Sequence, residues 1–329
     1  MKESIPILCY RSISPVCGIP PAEFRSHLEW LAAAGWKSVP LSQVVRYVKG
    51  GAALPEKSYA LTFDNVYLDH WVHTVPLLRE FGVCAAFACA TAYLHDGPCR
   101  PDSTSPGVDL RSLPMSREAW ANALEKNDPR GFMNRIELRI LVEEGGHELV
   151  GGTHTRQACF RSAKSMGRGG EGGQAESGQM HGIYVESQEG LPMYPTGSAY
   201  AYDGFWPGGD LFDHRLVRRE TAERIEFCLN EFVLCRERLE EITGKASQVL
   251  AWPWGEYDGV AVETAALAGY EAALSLEQGP NRPGTSPFAL CRIRMQGGDG
   301  VKELARRMKR GRSPVLSMLF RRHTGRIKH

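Results

Sequence analysis

The sequence lacks the features that would place the chain in a membrane or in a disulfide framework. None of its apolar runs reaches the roughly 18 residues that a transmembrane helix needs, and the apolar stretch in MKESIPILCYRSIS is too short for a signal peptide. The nine cysteines are odd in number and scattered, without a C-x-x-C pair, which argues against a disulfide scaffold and a zinc ribbon. The sequence therefore predicts a cytoplasmic location.

An excess of charge of one sign is also missing over the chain as a whole. A formal net charge of +1 gives no field that would attract nucleic acid, so we expect no nucleic-acid partner. The exception is local, because ten basic residues between Lys302 and Lys328 stand against the single acid Glu303. We predict that residues 301–329 form a basic C-terminal tail, with a solvated terminal helix and a frayed end. The alternative is a weak contact with an anionic membrane, which would make the protein peripheral to it.

What the sequence does contain is an alternation of strand-like and helix-like segments. A length of 329 residues with 43% hydrophobic residues suits one large α/β domain or two smaller ones. Helical patterns such as Phe24–Ala34 and Trp71–Phe81 alternate with the strand-like runs IPILCY, SYALTFD, CAAFACA and HELVGGTHT. This alternation predicts a parallel sheet with helices outside it, either a barrel or an open doubly wound sheet.

One long segment breaks the alternation. Residues 161–215 contain the low-complexity run KSMGRGGEGGQAESGQ, and we expect a flexible insertion there. Regular patterns resume with a long helix over Arg219–Ile242. We therefore predict one domain over residues 1–300, with a glycine-rich insertion at about 161–215, followed by the tail at 301–329.

Polar residues at the ends of the predicted strands are the candidates for chemistry, because the sites of parallel α/β sheets collect at the carboxyl ends of the strands. Asp64–Asn65 ends one strand, His154–Thr155 follows another, WPWGEY (252–257) follows a third, and Tyr10–Arg11 is a weaker fourth candidate. Each has a structural alternative. Asp64 suits the N-cap of the next helix, and the aromatic residues of WPWGEY suit core packing beside a turn.

These segments resemble the polysaccharide deacetylases of the NodB-homology type, carbohydrate esterase family 4, most closely those that act on poly-N-acetylglucosamine. The resemblance rests on PILCYRSI, LPEKSYALTFDN, ELRILVEEGGHELVGGTHT, RERLEEITG and AWPWGEYD, and it spans most of residues 5–160 and 216–295. It implies an α/β fold in a single domain, a distorted (β/α) barrel. It also implies a hydrolase that acts on carbon–nitrogen bonds other than peptide bonds, with an acetylated glycan as its partner.

The resemblance further implies a site that combines a general base with three metal ligands. The first Asp of the family's T-F-D-D motif is the base and the second a ligand, and both histidines of H-[ST]-x-x-H are ligands. In this chain the base position is Asp64, and the ligand positions hold Asn65, His154 and Ala158. Arg11 stands where the family usually has histidine. Side chains that could substitute as ligands are Cys159, His70, His73, His147 and His181.

The metal and the activity follow from this comparison. The resemblance implies a divalent metal of the zinc type, but a neutral carboxamide and a methyl group at two of three ligand positions leave the absence of metal as an alternative. The resemblance also implies substrate-binding residues. Thr155 would place a hydroxyl beside the metal position, and one wall of the sugar-binding groove would be formed by Trp252, Pro253, Trp254, Gly255 and Tyr257.

Two functions stay open at this point. One is N-deacetylation of an N-acetylglucosamine-type glycan, with the activity reduced or lost. The other is glycan binding by a non-catalytic pseudoenzyme of the same fold. An amidase that acts on a small molecule is a weaker third.

Overall fold

The structure, a computed structural model, describes residues 3–107, 113–168, 192–207 and 216–319. Its strands in chain order are β1 (Ile7–Tyr10), β2 (Lys37–Ser38), β3 (Ser58–Asp64), β4 (Ala86–Cys89), β5 (Glu148–Gly151), β6 (Ala158–Phe160), β7 (Gly167–Arg168), β8 (Pro192–Met193), β9 (Thr196–Ser198), β10 (Phe205–Pro207), β11 (Leu216–Arg218), β12 (Val249–Ala251), β13 (Ala272–Leu274) and β14 (Ile293–Arg294).

The helices fall close to the positions that the apolar periodicity predicts. They are α1 (Pro21–Ala33), α2 (Leu41–Val48), α3 (Val75–Phe81), α4 (Ser116–Glu125), α5 (Arg135–Glu143), α6 (Thr221–Thr243), α7 (Gly259–Leu267), α8 (Val301–Arg312) and α9 (Pro314–Leu319). The predicted helix over Trp71–Phe81 is divided into a π-helical turn, His70–Thr74, and α3. In the described part of the chain, no helix is both long and apolar enough to cross a membrane.

The main sheet is parallel throughout, in the order β13-β12-β5-β4-β3-β1-β14, with β2 beside the start of β3. Leu290 makes a parallel bridge to Leu274 at one edge, and three residues later Ile293 pairs with Leu8 near the other edge. One short segment thus connects the two edges of the curled sheet. The predicted distorted barrel is confirmed, and the open doubly wound alternative is wrong.

The two faces of the sheet carry side chains of different size. Large residues such as Leu61 and Phe63 pack against α1, α3, α5 and α6 in the main core. Small residues such as Ala60 and Ala86 lie on the opposite, inner face. Since successive residues of a strand point to opposite faces, Asp64 belongs to the inner face with Ala60. The small side chains leave room there for a polar group.

The predicted insertion contains regular structure where it is described. Strands β11, β10, β6 and β9 form a second, antiparallel sheet, and β7 pairs with β8. The glycine-rich residues 169–191 and the stretch 208–215 lie outside the described residues, so the predicted flexibility falls largely on them. Residue 158, on β6, therefore belongs to the second sheet rather than to the end of a barrel strand.

The first part of the predicted basic tail is the helix α8. Its Leu304 and Met308 are buried in the main core, which places one face of α8 against the barrel. The side chains of Arg306 and Arg307 both bind Glu303, at 2.6 and 2.5 Å. Part of the basic charge of the tail is therefore neutralised within the helix, while residues 320–329 lie outside the described residues.

Candidate functional site

Asp64 ends β3 inside an ion pair. Its Oδ1 accepts a hydrogen bond from Nη1 of Arg292 at 2.7 Å, and its Oδ2 accepts one from Sγ of Cys9 at 3.5 Å. Burial alone would raise the pKa of Asp64, but the guanidinium groups of Arg292 and Arg156 outweigh burial, and this pKa lies below its usual value. The carboxylate caps no helix, since its oxygens bind Arg292 and Cys9 and the next helical segment begins only at Leu68. The N-cap alternative is therefore wrong.

Asn65 turns the chain at the end of β3. Its φ of +76° is in the left-handed region, which asparagine tolerates better than most residues. The buried carboxamide donates through Nδ2 to the hydroxyl of Tyr67 at 3.0 Å, and this hydroxyl also accepts a hydrogen bond from Nε1 of Trp120 at 2.7 Å. Asn65 is thus held by its nitrogen and brings no negative charge next to Asp64.

His154 and Thr155 lie in the loop after β5, which is hydrogen-bonded to α6 through Glu231. Nδ1 of His154 lies 2.9 Å from the hydroxyl of Thr91. Both the backbone N–H and the hydroxyl of Thr155 donate to Glu231, at 2.7 and 3.0 Å, and Glu231 also accepts a hydrogen bond from Tyr200 at 2.5 Å. Burial lowers the pKa of His154, and Glu231 opposes that shift. Glu231 and Tyr200 could not be identified from the sequence, because they lie on distant segments with no motif of their own.

The third ligand position contributes no donor. Ala158 is buried on β6 among Phe160, Phe205 and Trp254. Neighbouring Cys159 is a buried thiol whose pKa is raised to about 12 by burial, and its Sγ donates to the carbonyl oxygen of Ser198.

Of the histidines proposed as substitutes, His70 and His147 are engaged elsewhere, and His73 is buried with no hydrogen-bond partner for its Nε2 among the described residues. Nε2 of His70 lies 3.1 Å from the carbonyl oxygen of Arg11, and burial lowers the pKa of His70 to about 4. Nδ1 of His147 accepts a hydrogen bond from the backbone of Ala85. His181 lies outside the described residues. Over the described ranges, no three or more His, Cys, Asp or Glu side chains form a group that could hold a metal, so the residues present do not fit the metal that the resemblance implies.

Arg156 lies within the segment that matches the H-[ST]-x-x-H motif, but it was not identified from the sequence. It stands between His154 and Ala158, at a position that the family motif leaves unspecified. Its φ is +54° and its side chain is buried, with 8% exposure. The guanidinium lies 5.1 Å from the ring centre of Trp254, and its charge contributes to the lowered pKa of Asp64. A basic residue within a metal-binding motif was the signal that could have identified it.

The WPWGEY segment divides into core and cleft. Trp252 and Tyr257 are only 1% and 5% exposed, and their rings stack with centres 5.6 Å apart. Nε1 of Trp252 donates to the carbonyl oxygen of Phe288, and the hydroxyl of Tyr257 donates to Glu277 at 2.7 Å. These two rings pack in the core, so the predicted stacking on a sugar is left to Trp254.

Trp254 reaches the cleft because the turn has an unusual backbone. Its own φ is +56°, and Gly255 follows with a φ of +74°. A Cβ on Gly255 would lie 2.7 Å from Leu276, so only glycine fits this turn. Pro253 is buried in the same turn. The half-buried indole of Trp254 lines a cavity of about 720 Å³ together with Arg292 and Leu276. This cavity extends to Ile7 on β1 and to Arg306 on α8, and Asp64 is not among its lining residues.

The fold and the placement of these residues define a (β/α) barrel protein with polar side chains at the carboxyl ends of its strands. A family model described as polysaccharide deacetylase matches residues 51–273, more than half of the chain. The chain belongs to the polysaccharide deacetylase family, as the resemblance in its motifs indicates. The family points to a hydrolase of carbon–nitrogen bonds in carbohydrates.

Individual relatives agree with this assignment. The chain is 25% identical over 260 residues to the poly-β-1,6-N-acetyl-D-glucosamine N-deacetylase of Escherichia coli K12. The aligned region covers 78% of this chain and 30% of that protein. The chain thus spans about a third of that relative's length. The fold matches the structure of a de-N-acetylase from Aggregatibacter actinomycetemcomitans with a TM-score of 0.63 at 17% identity, over 92% of this chain and 98% of the other. It also matches the deacetylase domain of BpsB from Bordetella bronchiseptica with a TM-score of 0.59 at 17% identity, over 89% and 96%.

Proposed function

We propose that this chain binds an N-acetylglucosamine-type glycan in the cleft at the strand ends, and that N-deacetylation there is strongly reduced or lost. The observation that carries the proposal is the state of the three ligand positions. Asn65 offers a neutral carboxamide held by Tyr67, and Ala158 offers a methyl group in an apolar cluster. His154 alone keeps a side chain of the metal-binding type. Losing a residue that merely orients a ligand costs about 10–100-fold in metal affinity or activity, and losing two ligands costs more.

The state of the base supports the same conclusion. A general base works best when its pKa lies near the working pH. The pKa of Asp64 lies below its ordinary value because Arg292 and Arg156 stabilise the carboxylate against the effect of burial. Asp64 is therefore ionised but a weak proton acceptor. Its contact with Arg292 suits an electrostatic role in the cleft better than proton transfer.

The binding side of the site is better preserved. Trp254 offers an indole ring at the wall of the cavity, and aromatic faces pack well against the apolar faces of sugars. Glu231 holds the backbone of Thr155 in place, which keeps the loop after β5 rigid. The relative from E. coli is named for poly-β-1,6-N-acetyl-D-glucosamine, which favours an N-acetylglucosamine polymer as the ligand.

Glycan binding is tested by calorimetric titration with β-1,6-linked N-acetylglucosamine hexamers. We expect binding that Trp254→Ala weakens by about tenfold, the loss of one stacking contact worth roughly 1.4 kcal/mol. Trp30→Ala is the matched control, because Trp30 is also half-buried but packs against the main core from α1. If the hexamer does not bind, or if both variants weaken binding equally, the proposal fails.

Turnover is tested by acetate release from the same hexamer after incubation with zinc, cobalt, nickel or iron. We expect less than one metal ion per chain and no acetate above the blank. Stoichiometric metal together with acetate release that Asp64→Asn abolishes would show an active deacetylase instead.

A further inference from the structure

The carboxylate of Asp64 lies near two guanidinium groups, and a third guanidinium lies near one of these two. Arg292 binds the carboxylate directly. Arg156 is close enough to both Asp64 and Arg292 for their charges to act on it, and Arg11 adds a third positive charge to this group. Counting only these four side chains, three positive charges face one negative charge, an excess of two. The arginine cluster is defined here as Arg11, Arg156 and Arg292.

The hydrogen-bonding capacity of this arginine cluster is not used up. Both oxygens of Asp64 already have donors, Arg292 and Cys9. The buried Nε atoms of Arg11 and Arg156 have no hydrogen-bond partner among the described residues. A buried N–H without an acceptor costs free energy, and a bound anion is one arrangement that would supply the acceptor.

Other acidic side chains near the cleft do not supply the missing acceptor. Glu231 is occupied by Thr155 and Tyr200, and Glu277 accepts the hydroxyl of Tyr257. Asp69 accepts a hydrogen bond from Ser12 through Oδ2, its Oδ1 lies 3.5 Å from Nε2 of His70, and burial raises the pKa of Asp69 to about 7. The excess positive charge is therefore available to an anion from outside.

The arginine cluster lies beside a surface that suits a sugar. Arg156 packs over the ring of Trp254, and Trp254 and Arg292 both line the cavity of about 720 Å³. An anion held by the guanidinium groups would thus be attached to a ring that contacts the indole. Guanidinium groups bind planar carboxylates through paired N–H donors. Such donors serve an anion, whereas a divalent metal ion needs acceptor ligands instead.

We propose that Arg156 and Arg11 bind an oxyanion carried by a sugar residue, most simply the carboxylate of a uronic acid, beside Asp64 in the motif that supplies metal ligands in the family. Arg292 holds Asp64 so that its negative charge does not turn toward the ligand. This inference rests on the proposed glycan binding and names the class of glycan: an acidic one.

The test compares glycans that differ only in charge. Hyaluronan octasaccharide, in which N-acetylglucosamine alternates with glucuronate, is titrated against the same octasaccharide with its carboxylates reduced to alcohols. We expect the acidic form to bind at least tenfold more tightly at low salt, with a preference that falls as salt is raised. N-Acetylglucosamine 6-sulfate and methyl glucuronide, tested by saturation-transfer NMR, show whether a sulfate or a carboxylate is the better oxyanion.

Variants locate the effect. Arg156→Gln and Arg11→Gln should each abolish most of the preference for the acidic octasaccharide, and Arg139→Gln, an exposed arginine on α5, should leave it unchanged. The melting temperature of Arg156→Gln should be equal to or above that of the parent protein, because the substitution removes a buried charge that lacks an acceptor.

Three results would overturn the inference, and they differ in what else they affect. If the neutral N-acetylglucosamine hexamer binds through Trp254 while acidic and reduced octasaccharides bind equally, the anion site is wrong and the glycan cleft stands. If no glycan binds at all, the proposed function is wrong together with the inference. Retention of the acidic preference in Arg156→Gln would equally exclude the arginine cluster as its source.

Discussion

The carboxylate of Asp64 and the guanidinium of Arg292 meet where water is largely excluded, with side chains 15% and 2% exposed. Removing one partner of such a pair leaves the other charge buried without compensation. The pair is therefore the residue-scale feature on which both the stability and the electrostatics of the cleft depend.

The substitution Arg292→Gln should lower the free energy of unfolding at pH 7 by about 3 kcal/mol. The pKa of Asp64 is lowered in the folded protein, so its contribution to stability is present above the unfolded value of about 3.9 and is lost as the pH falls through the folded pKa. In Arg292→Gln, burial would instead raise this pKa. The difference between variant and parent should shrink from pH 7 to pH 3, as measured by urea unfolding.

The double variant Arg292→Gln with Asp64→Asn serves as the control. It should recover part of the lost stability at pH 7, because no uncompensated carboxylate remains. A difference between Arg292→Gln and the parent that is the same at both pH values would show that Asp64 is not the group responsible.

We expect substitutions that supply metal donors to give tighter metal binding when the nearby positive charge is removed. Asn65→Asp with Ala158→His supplies the missing donors, but the nearby Arg156 guanidinium repels a divalent cation. We expect zinc to bind at least tenfold more tightly when Arg156→Gln is added to the two substitutions. The measurement is competition with a chromophoric chelator.

Equal affinity in the double and triple variants would mean that Arg156 does not act on the ligand positions. Arg139→Gln in place of Arg156→Gln controls for the loss of one positive charge, because Arg139 is exposed on α5.

At the scale of elements, the turn after β12 decides which aromatic ring reaches the cleft. Trp252 and Tyr257 point into the core, and the left-handed backbone at Trp254 and Gly255 sends the ring between them outward. The alternation of a strand would not predict this placement. The WPWGEY motif thus contributes one ring to the cleft and two to the structural support of that ring.

Gly255→Ala should therefore destabilise the fold and disturb the cleft together. The new Cβ would lie 2.7 Å from Leu276 in a left-handed backbone conformation, and such a combination costs about 1–3 kcal/mol. Thermal unfolding measures the loss, and the fluorescence of Trp254 reports the displaced ring.

The matched substitution is Gly259→Ala, at the first residue of α7. Nothing lies within 4 Å of its added Cβ, so we expect little change in stability or a small gain. If both alanine variants behaved alike, the close approach to Leu276 would not be the cause.

At the scale of the whole molecule, much of the fold was predictable because its signals are local or belong to continuous motifs. The helices over Phe24–Ala34 and Arg219–Ile242 follow from apolar spacing, and the parallel sheet follows from their alternation with strands. The connection of the sheet edges through Leu290 was not predictable, because it is a single bridge between segments without a pattern of their own.

The site was predictable only where a motif names its residues. Asp64, Asn65, His154 and Ala158 follow from the resemblance. Arg292 and Glu231 act on the site from segments that precede or follow those motifs by many residues, and only the three-dimensional structure brings them there. The burial of Trp252 could likewise not be predicted, because a tryptophan beside a turn is compatible with both core packing and exposure in a cleft.

The short segment that connects the sheet edges also carries Arg292, so we expect opening of the barrel at this edge to expose the site. The N–H of Leu290 bonds to Ala273, the N–H of Ser275 bonds to Leu290, and Nε of Arg292 bonds to the carbonyl oxygen of Ser275. Asp64→Asn should therefore speed hydrogen exchange at Leu290 by about tenfold, while Phe87 in the middle of the sheet exchanges as before. Equal changes at both amides would indicate global destabilisation.

A ligand could therefore change how often the hydrogen bonds of Leu290 to the neighbouring strand open. A molecule bound between Arg292 and Trp254 would hold the last strand against its neighbours, and its presence would appear as slower exchange at amides that it does not touch. Ligand binding in the cleft should therefore slow the opening of the sheet at Leu290, so hydrogen exchange at this amide would report how much ligand is bound.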